Sequence, residues 1–229
     1  MSTIALLPMK AHSERVSGKN FKNLAGKPLF RWILDALLAV DEIDQVVINT
    51  DARDILADNG LVDSDRVLIR DRRPEICGDF VSMNLIIEDD LAATNADQYI
   101  MTHTTNPLLS STSIGKALAQ YQDAKAEGLA DSLFGVTKFQ TRFYKGDGSP
   151  INHDPNNLIR TQDLEPWYEE NSCIYVFDKA SFAATNARIG QKPILFEIPK
   201  LEAIDIDEKE DWFLANAVAK GLGEEANYA

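Results

Sequence analysis

Short apolar bursts rich in β-branched residues alternate along the chain with longer stretches whose apolar positions recur every three or four residues. Those are the patterns of buried strands and of amphipathic helices. The first burst is TIALLPM at Thr3–Met9, and PLFRWILDALLAV at Pro28–Val40 follows as a helix. The next units are QVVINT (Gln45–Thr50) with ARDILADN, RVLIR (Arg66–Arg70) with SMNLIIEDDLAA, and QYIMT (Gln98–Thr102) with a helix capped near Ser111 and running towards Glu127. SLFGVT at Ser132–Thr137 supplies another strand. Repeated strand–helix alternation predicts right-handed crossovers and an α/β fold with a doubly wound, mostly parallel sheet. In such a sheet ligands bind outside the carboxyl ends of the strands.

From Lys138 to Glu170 the pattern breaks into polar, Gly- and Pro-containing sequence, too long for a simple loop in a compact domain. We read residues 138–170 as an inserted arm. Its apolar members Phe139, Phe143, Ile151, Leu158 and Trp167 need a surface to cover. CIYVF (Cys173–Phe177) and PILFEI (Pro193–Ile198) then return to strand patterns, and EKEDWFLANAVAK (Glu208–Lys220) reads as a closing amphipathic helix. One domain spanning 1–229 accommodates all of this.

The 229 residues are 45% hydrophobic and 26% charged, which excludes disordered and fibrous classes. With 23 Lys and Arg against 36 Asp and Glu, the net charge of −13 argues against gripping a nucleic-acid backbone. No stretch approaches the about 20 apolar residues of a membrane span. The early apolar run is too short for an export signal and lacks a basic stretch before it. The sequence therefore predicts a cytoplasmic protein with no membrane or nucleic-acid partner. Cys77 and Cys173 read as reduced thiols filling small core gaps, His153 as a surface residue, and three histidines without metal spacing argue against zinc.

Against this acidic background the first strand is followed by a basic loop, KAHSERVSGKNFKNLAGKPL. It carries Lys10, Arg15, Lys19, Lys22 and Lys27, with His12 a possible sixth cation. A cationic loop between strand and helix is where a doubly wound fold places phosphates, so it reads as anion-binding; the bland alternative is a solvated loop. Known phosphate motifs fail. Gly18 and Gly26 cannot supply a three-glycine dinucleotide turn, and the Gly18–Lys19 pair is followed by Asn20 rather than a P-loop hydroxyl. Near the other end, Asp205 and Asp207 in AIDIDEKED lie two residues apart, so an extended backbone would aim both carboxylates at one cation. Magnesium suits such a pair plus substrate phosphates. Asp207 followed three residues later by Glu210 is equally a helix-capping pattern.

The spacing of Lys10, Ser13, Arg15, Lys19 and Asn20 with AGKPL at Ala25–Leu29 resembles the opening of the acylneuraminate cytidylyltransferases, the CMP-sialate synthetases. Six further segments agree in order: INTD (Ile48–Asp51), RPEICGD (Arg73–Asp79), THTTNPLL (Thr102–Leu109), RTQDL (Arg160–Leu164), ENSCIYVF (Glu170–Phe177) and AIDIDEKED (Ala203–Asp211). The resemblance spans Ile4 to Ala217. It implies a nucleotide-diphospho-sugar-transferase-like fold with a dimerisation arm. The implied activity transfers CMP from CTP to the anomeric hydroxyl of a 2-keto-3-deoxy sugar acid of the sialic-acid type, releasing pyrophosphate, with Mg2+ and a homodimer.

In that reading Lys10, Arg15 and Lys19 hold the triphosphate, and Ser13, Asn20, Arg73, Gly78 and Asp79 complete the CTP site. His103, Arg142, Lys145, Arg160, Asn171 and Tyr175 contact the sugar acid, and Asp205 and Asp207 hold the metal. The chain departs from the family pattern at Lys10, at Glu14 and Arg15, where the cation falls one position late, and at His103, where a glutamine is usual. These departures keep open a CTP transferase for Kdo or another unusual acid. A non-catalytic nucleotide-sensing module is the reading from outside enzymology.

Overall fold

The computed structural model describes residues 1–13 and 15–225; Glu14, one of the departures above, lies outside them. Strand β1 (Thr3–Leu6) is followed by the basic loop, a small antiparallel hairpin of β2 (Asn23–Leu24) and β3 (Lys27–Pro28), and helix α1 (Leu29–Leu38). Then come β4 (Gln45–Thr50), α2 (Arg53–Asp58), β5 (Val67–Asp71), α3 (Met83–Ala93), β6 (Gln98–Thr102), α4 (Ser111–Ala126) and β7 (Ser132–Phe139). The chain closes with β8 (Trp167–Phe177), α5 (Lys179–Thr185), β9 (Pro193–Glu197) and α6 (Lys209–Glu225).

Seven strands form one sheet in the order β5-β4-β1-β6-β8-β7-β9. β8 runs antiparallel to both its neighbours, and every other pairing is parallel. The chain moves outward from β1 through β4 to β5, then crosses back to place β6 on β1's other side. That reversal opens a crevice at the carboxyl ends of β1 and β6.

Strand alternation explains why both faces are covered. Ala5 and Leu7 join the core formed with Phe30, Ile33 and Leu37 of α1 and Ile114 and Leu118 of α4. Ile4 and Leu6 point the other way, packing with Ile87 and Leu91 of α3 and Phe182 of α5. Each fully buried side chain of this size is worth about 1.5–3 kcal/mol. A third, smaller core of Leu24, Leu29, Ile206 and Ala215 ties the hairpin to α6. Among the described residues no helix is long and apolar enough to cross a membrane.

The structure redraws the arm. Trp167–Glu170 belong to β8 and pair with Val136–Phe139, so the irregular excursion is confined to residues 140–166. Alternation hid this because the segment reads WYEE, without an apolar face. A register irregularity between Phe134 and Val136 accompanies Ser172, whose φ is +58°. Gly135 sits there because a Cβ would come within 2.9 Å of Asn171 Oδ1. Helix α5 was not foreseen; its capping box, Asp178 with Ser181, was present in the sequence as DKAS. Cys173 is buried as expected, whereas Cys77 is half-exposed and is no core filler.

Candidate active site

A cleft of about 340 Å³ occupies the crevice, lined by Lys10, Ser13, Arg15, Lys19, Asn20, Arg72, Gly78, Asp79, Thr104, Thr105 and Asp207 together with apolar residues. The loop that supplies three of its cations is fastened at Lys10, Ala11 and Asn20. Ala11 N–H donates to Asp51 Oδ1 at 2.7 Å. Buried Asn20 donates through Nδ2 to Lys10 O at 2.8 Å and accepts from Thr104 Oγ1 at 2.7 Å. Gly18, at φ +60°, turns the chain into the short 3-10 helix Lys19–Phe21. Lys19 is thereby directed inward, its side chain 11% exposed.

The cations meet acids across the cleft. Lys19 Nζ donates to Ile206 O at 2.5 Å and lies 3.5 Å from Asp207 Oδ1. Arg15 reaches Asp207 Oδ2 and Glu208 Oε1, each at 3.2 Å, and these acids raise its pKa, the Glu208 hydrogen bond foremost. Lys10 pairs with Asp79. Asp207 does not act as the cap that its spacing suggested. The residue reaching back to the start of α6 is Asp211, whose Oδ2 accepts from the N–H groups of Asp207 and Glu208 at 3.0 and 2.7 Å.

The acidic pair fits a hard cation. Ile206 is buried and its N–H donates to Thr105 O at 2.8 Å, so its side chain anchors the segment in the core while Asp205 and Asp207 flank it. Asp205 Oδ1 is buried without a hydrogen-bond partner, and burial raises that carboxyl's pKa, with Asp207 adding to the rise. Among the described residues no group of three or more His, Cys, Asp or Glu could hold a metal. Asp207 lines the cleft and Asp205 does not; a magnesium ion held by these two carboxylates would leave its remaining positions to water and phosphate.

The neighbouring arginine lines the cleft where Arg73 was expected. Arg73 turns to Asp89, at 2.7 Å. Arg72 is held by Asn49 Oδ1 at 3.0 Å, Asn49 O at 2.7 Å and Met9 O at 3.0 Å, and burial lowers its pKa. Asn49 is itself fixed by buried Asp89 and Asp90, which Arg70 also binds. Desolvation pushes Asp90 up to about 6 against the opposing pull of Asn49 and Arg70. Of this array the INTD and RPEICGD segments held only Asn49 and Arg73; Met9, Arg70, Arg72, Asp89 and Asp90 lay outside them. Their spacing carried no local signal.

A second cleft of about 260 Å³ adjoins the first through Met83 and is lined by Ser82, Met83, Asn84, Ala187, Arg188 and Ile189. Arg188 was not identified from sequence. Its guanidinium lies over the Tyr175 ring, 3.9 Å from the centroid, with Nη1 3.3 Å from His103 Nε2 and Nη2 3.5 Å from Glu170 Oε1. The Tyr175 hydroxyl donates to Glu170, and burial foremost raises its pKa. Desolvation, then the charges of Arg188 and Lys19, push His103 down to about 3, so its ring is neutral near pH 7.

The remaining expected acid contacts stand elsewhere. Asn171 is buried, donating to Thr137 Oγ1 at 3.1 Å and accepting from Cys173 N–H at 3.2 Å, a local role at the irregular strand. Arg142 donates to Ile159 O at 2.6 Å and Arg160 grips Asp163 at 2.7 and 2.9 Å. Lys145 is exposed at the arm's turn, and none of the three lines either cleft.

Comparison with known proteins gives this geometry a family. The family model described as Cytidylyltransferase matches residues 4–217. An N-acylneuraminate cytidylyltransferase of Streptococcus agalactiae is 23% identical over 221 residues; the match covers 93% of this chain and 52% of that protein, so the chain spans about half its length. A pseudaminic acid cytidylyltransferase of Campylobacter jejuni is 21% identical, with 96% of this chain and 97% of that protein covered. The fold is similar to that of a CMP:2-keto-3-deoxy-manno-octonic acid synthetase complexed with CTP, at a TM-score of 0.64 and 14% identity, covering 96% of this chain and 98% of that one.

Proposed function

The chain belongs to the cytidylyltransferase family, and we propose on that premise that it joins CTP to a 2-keto-3-deoxy sugar acid of the sialic-acid type, giving the CMP-sugar and pyrophosphate. The observation that carries this reading is the meeting of Lys10, Arg15, Lys19 and Arg72 with Asp207 in one cleft of a chain whose net charge is −13. A neutral or cationic ligand would not call for four cations there; a triphosphate does.

In the reaction the anomeric hydroxyl oxygen bonds to the α-phosphorus and gives up its proton to water, the bond from that phosphorus to the bridging oxygen breaks, and pyrophosphate leaves with the bond's electron pair. Lys10, Arg15 and Lys19 hold the triphosphate chain and balance its growing negative charge. Arg72, held by backbone and Asn49, fixes the cleft wall, and the backbone around Gly78, whose φ is +120°, lies open to the cytosine. Mg2+, held by Asp205 and Asp207, would supply charge neutralisation at the phosphates. Positioning and charge stabilisation dominate such chemistry. His103 is a poor general base, because a group held near 3 has little affinity for the proton that the hydroxyl releases.

The same reading places the enzyme in the cytoplasm, consistent with its free thiols. It also makes it a homodimer through the arm, where Ile151 and Leu158 stay exposed, with Trp167 exposed beside it at the start of β8. Pyrophosphate release in the presence of magnesium decides the activity. The assay offers each of the four nucleoside triphosphates with N-acetylneuraminate, pseudaminate and 2-keto-3-deoxy-manno-octonate. Release that requires CTP and one of these acids is expected; release with no acid of the panel overturns the reading. A sedimentation measurement showing only monomer at concentrations of full activity would exclude the dimer.

A further inference from the structure

Arg188 is built as a receiver for an anion. The Tyr175 ring beneath it fixes the plane of the guanidinium, and its polar contacts are all long: 3.3 Å to His103, 3.5 Å to Glu170 and 3.8 Å to Met101 Sδ. At those distances a fork of five N–H donors keeps most of its bonding capacity. The side chain is 20% exposed and lines the cleft that adjoins the cationic one, beside Ser82 and Asn84. Neighbouring His103 is neutral near pH 7, so of the two it is Arg188 that carries positive charge, with Lys19 the next cation. Glu170, its counter-ion, is already bonded by the Tyr175 hydroxyl.

We propose that Arg188 receives the carboxylate of the acceptor sugar acid and that Glu170 is the internal carboxylate that this substrate displaces. The inference rests on the cytidylyltransferase reading and names the group by which the acid is recognised. In a 2-keto acid the carboxylate is attached to the anomeric carbon itself. A bidentate grip on it therefore aims the adjacent hydroxyl, and the second cleft meets the first at Met83. Arg142 and Arg160 are committed to Ile159 and Asp163, which leaves this role open within one chain.

The test compares wild type with Arg188→Ala, Arg188→Lys and Glu170→Gln in two measurements. One is pyrophosphate release against acid and CTP concentration; the other is calorimetric binding of N-acetylneuraminate and of its methyl ester. Arg188→Ala should raise the KM for the acid about 10- to 100-fold and leave that for CTP within about twofold, the loss expected of a charge-assisted pair. It should also abolish the wild-type preference for the acid over the ester, a readout that a merely structural role would not move. Lysine should restore part of that preference. Glu170→Gln, which keeps an acceptor for the Tyr175 hydroxyl, should lower the KM for the acid severalfold. An Arg188→Ala protein that keeps the wild-type preference overturns the proposal, as does a wild-type protein that binds neither form at millimolar concentration. If no acid supports turnover, the cytidylyltransferase reading fails, while the binding of acid against ester still decides Arg188.

Discussion

The two clefts share a rim but are built on different plans. The first stands at the ends of parallel strands β1 and β6, and three of its four cations, Lys10, Arg15 and Lys19, come from one loop tied through backbone groups of Ala11, Lys10 and Ile206. The second lies between the start of α3 and the turn after α5, and its Arg188 meets side chains supplied from other elements, His103 being 85 residues away. A loop tied through backbone groups suits a ligand group that does not vary. A wall made of side chains can be exchanged residue by residue. We take the first as the part that fixes the nucleotide and the second as the part that selects the acid.

The largest expected effect tests the hinge between the two plans, the acidic pair. Asp207→Asn and Asp205→Asn should each cost most of the activity at fixed magnesium, about 100-fold or more, with circular dichroism unchanged. Near wild-type turnover in either variant would return that residue to a structural role. The next pair of substitutions divides the clefts. Lys19→Ala should weaken the apparent affinity for CTP by about 1.5–3 kcal/mol whichever acid is offered. His103→Gln should reorder the preference among acids and leave CTP nearly untouched, because a rigid ring acceptor is exchanged for a flexible amide with two donors. A histidine variant that keeps its acid ranking and loses CTP affinity would move His103 into the nucleotide site.

The smallest effect concerns stability behind the first cleft. Asp90 is held up to about 6 when folded, above the ordinary value of about 4 in the unfolded chain. The folded state therefore binds the proton more tightly, and the stability linked to it is present at low pH and lost as pH rises from about 4 to about 6. Urea unfolding should show wild type losing ground to Asp90→Asn across that window and holding a constant difference above it. A difference independent of pH would mean that Arg70 keeps Asp90 ionised throughout.

The same contrast explains what the sequence disclosed. Strand and helix periodicity carried the parallel half, because buried strands with covered faces leave unmistakable apolar runs such as QVVINT and QYIMT. The basic loop stood out against an acidic chain, and the structure brings its Lys10, Ser13, Arg15, Lys19 and Asn20 together in one cleft with Asp207. Arg73 was singled out one position late, since nothing local distinguishes an arginine bonded to Asn49 from one bonded to Asp89. Arg188 gave no sign at all: ATNARIG is an unpatterned turn, and its partners are supplied by β6 and β8. Asn171 was chosen on resemblance, yet its amide is used by Thr137 and Cys173 within the irregular strand.

β1 lies inside the sheet with a parallel neighbour on either side, and beyond its end the N–H groups of Leu7 and Met9 still bond to Val47 O and Asn49 O. Amide protons at such positions are released to solvent by global opening, whereas those of the excursion at residues 140–166 need only a local one. The root of the basic loop is thus as persistent as the fold itself. On the proposed reading a triphosphate would meet that root already ordered, and the entropy of closing around two substrates would fall to the acid side.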